Sequence, residues 1–83
     1  MAVDDSLRAE TERLLVQIKK KRTGIVLIDA DREDLIKNID AYISDTEHFL
    51  NKNDLIHAFE AVVWSSAWLE ILEELKVIKT IGS

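Results

Sequence analysis

From residue 31 onward the apolar positions fall into a helical rhythm. Leu35, Ile36, Ile39, Tyr42, Ile43, Thr46, Phe49 and Leu50 recur at steps of three and four, which at roughly 100° per residue gathers them into one stripe. Lys37, Ala41, Ser44 and His48 fall on the opposite side. Asp31, Glu33 and Asp34 crowd the start, where carboxylates complement the positive end of a helix. The pattern predicts a helix over residues 31–50. Asn51-Lys52-Asn53 is then a polar break of the length that joins antiparallel helices, and Asn53 or Asp54 can cap a second helix beyond it.

That helix is predicted over residues 54–78 and has a different character. Leu55, Ala58, Ala61, Val62, Ser65, Trp68, Leu69, Leu72 and Leu75 make one broad apolar face, flanked by Trp64. Ile56, Phe59, Val63 and Ala67 make a second strip on nearly the other side. A helix that is apolar over most of its circumference is normally covered by more than one neighbour. One neighbour is the preceding helix of the hairpin; the other is the first helix or a second chain. Ala58, Ala61 and Ser65 keep the broad face short enough for a close helix crossing.

Upstream, a first helix is predicted over residues 6–22. Asp4, Asp5 and Ser6 supply caps at its start, and Lys19, Lys20, Lys21 and Arg22 suit its negative end. Its apolar face is thin: Leu7, Leu14, Leu15 and Ile18, with Thr11 in the gap. Gly24 fits the left-handed residue beyond a helix end. Within the connector 23–30, Ile25-Val26-Leu27-Ile28 is strand-like. A lone strand has no partner in a helical chain, so it is expected to lie extended over the end of the bundle, with pairing to a second chain as the sharper option.

Composition narrows the picture further. The chain has 83 residues, room for one domain. It contains no Pro, no Cys and only two Gly, which suits long helices and rules out disulfides and thiolate metal sites. A net charge of −5 weighs against nucleic acid and anionic membranes. The acidic start does not resemble a signal peptide, and no apolar run approaches the roughly 20 residues of a membrane span. A cytoplasmic location is the default expectation.

Candidate chemistry is sparse. Asp45-x-x-His48 and His57-x-x-Glu60 stand at matching heights in an antiparallel hairpin, as in bundle di-metal sites. On the helical wheel, however, His48 points away from the apolar stripe and His57 lies near the edge of the next helix's broad face, so the imidazoles diverge. No metal or cofactor is expected. The Lys19–Arg22 turn has no aromatic interleaving, no Gly-rich phosphate loop exists, and no Ser stands in a nucleophile elbow. No catalytic residue is assigned.

Tyr42-x-x-Asp45, Phe49-Leu50, the turn into Asp54, Ala58-Phe59-Glu60, and Trp64 with Ala67-Trp68-Leu69-Glu70 resemble an archaeal domain-of-unknown-function family, DUF357, over about residues 31–78. The resemblance implies an archaeal cytoplasmic protein, an all-α fold and a closed up-and-down three-helix bundle, and brings no established activity. Asp45, Asp54 and Glu70 look like family positions. Asp45 and Glu70 lie off the core faces, and polar residues without a packing role are the better functional leads.

Three functions compete. The first is a non-catalytic interaction module, a homodimer or a bundle receiving a partner helix, whose candidate interface is Ile56, Phe59, Val63, Trp64, Ala67 and Trp68. As core the two indoles would be ordinary, and as interface equally so. A core this small has difficulty covering both indoles and the second strip, which favours self-association. The second is a small enzyme or metal-dependent site using Asp45, Glu60, Glu70 and the histidines. The third is a ligand pocket beside Tyr42, Trp64 and Trp68.

Overall fold

A computed structural model describes residues 3–81. Three helices, α1 (Val3–Thr23), α2 (Glu33–Asn51) and α3 (Leu55–Glu74), run up, down and up, and two short strands, β1 (Ile25–Leu27) and β2 (Ile78–Thr80), close one end. The fold is an all-α three-helix bundle with α3 as its central member, packed against both α2 and α1. Ile18, Ile39, Ile43, Val62, Leu69, Leu72 and Ile78 form the buried cluster, with Leu14, Leu15, Ile36 and Trp68 packed against it.

The first helix docks within its own chain. Its thin stripe suffices because Thr11, in the gap, is fully buried and donates its hydroxyl to the Leu7 carbonyl at 2.7 Å. Thr46 and Ser65, also fully buried, donate in the same way to the carbonyls of Tyr42 and Val62, each 2.8 Å away. These hydroxyls therefore enter the core without an unmet hydrogen bond. At the surface, Arg8 donates to Asn53 at 2.6 Å and Lys19 to Glu47 at 2.9 Å, while the Arg22 guanidinium grips Asp40 through two bonds of 2.6 and 3.0 Å. The basic turn of α1 thus does more than complement the helix dipole, since two of its four cations also tie α1 to α2. Exposed pairs of this kind contribute roughly 0–1 kcal/mol each, so they align α1 more than they hold it.

The turn from α2 to α3 closes as a Schellman motif. Asn53 adopts a left-handed φ of 59°. Its N–H reaches the Leu50 carbonyl at 3.0 Å, and the Asp54 N–H reaches that of Phe49 at 2.8 Å. Asp54 rather than Asn53 is the cap of α3, accepting from the His57 N–H at 3.4 Å.

The third helix is shorter than its periodicity implies. It ends at Glu74, four residues before the expected limit, again in a Schellman motif. Lys76 takes the left-handed position with φ 60°, its N–H on the Glu73 carbonyl at 3.1 Å and that of Val77 on Leu72 at 3.0 Å. That position normally belongs to glycine, because a Cβ there costs about 1–2 kcal/mol. Lys76→Gly is accordingly expected to stabilise the domain by about 0.5–1 kcal/mol, after the loss of chain entropy, and to raise the urea midpoint without changing the slope.

The early stop frees Val77–Thr80 to partner the connector. β1 and β2 pair antiparallel, with Ile25 opposite Thr80, Val26 opposite Lys79 and Leu27 opposite Ile78. This corrects the expectation that the strand-like run has no partner in its own chain. Alternation puts Ile25, Leu27 and Ile78 on the core side and Val26 and Lys79 outside. A two-stranded ribbon is marginal alone, and here its inner face rests on the bundle. The Ile28 and Asp29 N–H groups share the Val77 carbonyl at 2.8 and 3.1 Å, and Asp29 then caps the 3-10 turn Ala30–Arg32 that leads into α2.

Gly24 has a different role from the one its sequence position indicates. Its φ is not left-handed; instead a Cβ at this position would collide with the Ile81 carbonyl oxygen. The Ile81 N–H donates to the Gly24 carbonyl at 2.9 Å. Glycine is present because the returning chain end passes against its backbone.

Candidate interaction surface

Seven buried positions of α3 lie on one side: Leu55, Ala58, Ala61, Val62, Ser65, Leu69 and Leu72. Both neighbours, α1 and α2, pack against that side. The first helix therefore does not cover the second apolar strip. Ile56 is 68% exposed, Trp64 55% and Val63 41%, while Phe59 and Ala67 are half-buried. Ile71 and Leu75 continue the strip to the end of the helix at 45% and 68% exposure.

The two indoles have different fates. Trp68 packs against the core cluster, whereas Trp64 stands outside it. Of the candidate interface residues, Ile56, Val63 and Trp64 present open apolar surface, and Phe59, Ala67 and Trp68 border it. Leu75, placed on the core face by its spacing, caps the C-terminus of α3 in solvent instead. Ile71 and Leu75 are interface candidates that the sequence reading lacks, although Ile71 lies four residues beyond Ala67 on the same side. By length and composition α3 also suffices to cross a bilayer, despite Glu60 and Glu70. A core helix satisfies the same criterion, and the buried side of α3 is the centre of this bundle.

The strip is edged and interrupted by acids, with Glu60 standing between Ile56 and Trp64 at helical spacing. Glu60, Glu70, Glu73 and Glu74 are exposed, and α3 contains no Lys or Arg. An open depression near its end is lined by Ala67, Glu70, Ile71, Glu73, Glu74 and Leu75. Glu70 thus borders apolar surface, whereas Asp45 stands exposed on α2.

The imidazole–carboxylate constellation does not assemble. His57 Nδ1 lies 2.8 Å from the Asp54 carboxylate of its own cap, and its ring packs against Phe49 with centroids 5.3 Å apart. His48 contacts the edge of the same phenyl ring at 5.7 Å. Among the described residues no three His, Cys, Asp or Glu side chains come together as a metal-holding group. The Arg13 guanidinium holds the Glu10 carboxyl below its ordinary range, Glu10 in turn raises Arg13, and Asp40 raises Arg22. None of these groups lines the strip.

Comparison with known proteins places the chain. The profile of DUF357, a protein family of unknown function, matches residues 9–78. The chain belongs to the DUF357 family. Among solved structures, the crystal structure of the DUF357 protein AF1782 from Archaeoglobus fulgidus is similar, with 40% sequence identity and a TM-score of 0.87. The alignment covers 96% of this chain and all of that one. No curated protein matches. A DUF357 bundle is thus represented in an archaeon, and the family description carries no activity.

Proposed function

We propose that this DUF357 domain is a non-catalytic interaction module that self-associates through the outer strip of α3. The observation carrying this reading is the run of exposed Ile56, Val63, Trp64, Ile71 and Leu75 along one helix whose other side is already fully used by the bundle. Single exposed apolar residues are ordinary on protein surfaces, but five on one side of one helix, with an aromatic residue at the middle and Glu60 among them, have the mixed composition of an interface. The acidic composition and compact bundle agree with work in the cytoplasm.

Trp64 is a built-in reporter. In a Trp68→Phe protein it is the sole indole, and its emission is expected to shift to shorter wavelength as concentration rises through the micromolar range and association dries the ring. Emission fixed at the solvent-exposed wavelength across that range contradicts the proposal.

A further inference from the structure

The geometry points to an antiparallel homodimer in which two copies of α3 lie side by side across a two-fold axis near Val63 and Trp64. This inference rests on the self-association proposed above and specifies its arrangement. Two features of α3 carry it.

The first is the spacing of the strip. Ile56 and Ile71 are equally distant from the Val63–Trp64 step. Turning the helix end for end about that step therefore brings Ile56 of one copy level with Ile71 of the other. Glu60 comes level with Ala67, and Val63 with Trp64, so that each central residue also lies within about 1.5 Å, one residue's rise, of its own counterpart's level. At that rise the matched segment is roughly 22 Å long. A closed two-fold pair requires a self-complementary patch. From Ile56 to Ile71 reversal sets Ile56 against Ile71, Phe59 against Trp68 and Val63 against Trp64, while Leu75 lies beyond the matched segment.

The second is charge. Glu70, Glu73 and Glu74 crowd the C-terminal end of α3, where the helix dipole is already negative, and no residue of the helix is Lys or Arg. A parallel pair would set these carboxylates level with their own copies, which is unfavourable. Reversal sets Glu70 level with the partner's His57, Glu74 level with Asn53 and Glu73 level with Asp54, the carboxylate that His57 already contacts. One like-charge level thus replaces the three of a parallel pair, at the end of the helix where the dipole is positive and Lys52 stands exposed.

The chain contains no cysteine, so single cysteines can be introduced without background. Ile56→Cys and Ile71→Cys proteins, each confirmed as folded by circular dichroism, are treated with a short bismaleimide, separately and as an equimolar mixture. Antiparallel packing predicts that the mixture cross-links several-fold more than either protein alone. It also predicts that a Val63→Cys protein cross-links to itself. Efficient self-linking of Ile56→Cys and of Ile71→Cys, with no gain on mixing, overturns the arrangement in favour of a parallel dimer. A dimeric mass without the preference for mixing likewise overturns the arrangement and leaves self-association standing. A monomeric mass in every sample, with no cross-linking, defeats self-association itself.

Discussion

Ile78→Ala is expected to destabilise the domain by about 3 kcal/mol, lowering its melting temperature by roughly 12–24 °C. The reasoning starts from where α3 stops. Had the helix continued at 100° per residue, position 78 would fall on the outer side near Ala67 and Ile71. Alanine there would change stability by less than about 0.5 kcal/mol. Because Lys76 turns the chain out of the helix, Ile78 enters β2 instead, opposite Leu27, and is only 1% exposed. It joins Ile18, Leu69 and Leu72 in the core cluster. Removing three carbons from that site leaves a cavity that α1 and the ribbon cannot both collapse to fill. A thermal melt separates the two outcomes, and a near-neutral effect would mean that the ribbon does not close the bundle.

Replacing both Ile56 and Ile71 by Glu has the opposite profile. Both side chains are exposed, and glutamate is a good helix former. The fold should remain within about 0.5 kcal/mol of its original stability. Association should weaken by about 3 kcal/mol or more, roughly a hundredfold, since each change removes an apolar contact and adds a charge to an already acidic strip. Urea unfolding at low concentration and sedimentation at high concentration read the two effects separately. Loss of stability with no change in association would place these residues in the core instead.

The parts of this fold that are legible in the sequence share one property: a single periodic signal with nothing competing against it. Ile39, Ile43 and Thr46 mark the buried side of α2 unambiguously, and the polar Asn51–Asn53 break marks the turn. The end of α3 is illegible for the converse reason. Leu75, Val77 and Ile78 continue a helix-compatible apolar pattern, and no Gly or Pro marks the stop. A lysine in the left-handed position gives no sequence signal. A helix carried through to residue 78 absorbs β2 and leaves β1 without its partner. It also hides the reason for Gly24, which answers to Ile81, more than fifty residues away in the chain.

The candidate surface is legible as a second strip on α3, since Ile56, Phe59, Val63 and Ala67 share a side by spacing alone. Which neighbour covers that strip depends on how α1 docks, and a stripe as thin as Leu14, Leu15 and Ile18 does not specify a docking angle. The bundle supplies that information: α1 and α2 share one side of α3 and leave the other open. For Asp45 and Glu70 the result is unequal. Glu70 borders the open strip near Ile71, and Asp45 stands apart on α2.

The molar mass of the natural chain in solution tests self-association most directly. Light scattering behind size exclusion, over protein concentrations from about one micromolar to one millimolar, is expected to rise from the 9.5 kDa of one chain toward twice that value. The Ile56→Glu, Ile71→Glu protein should stay at the lower mass throughout. A mass of 9.5 kDa for the natural chain at every concentration would contradict the claim that the outer strip of α3 receives a second copy.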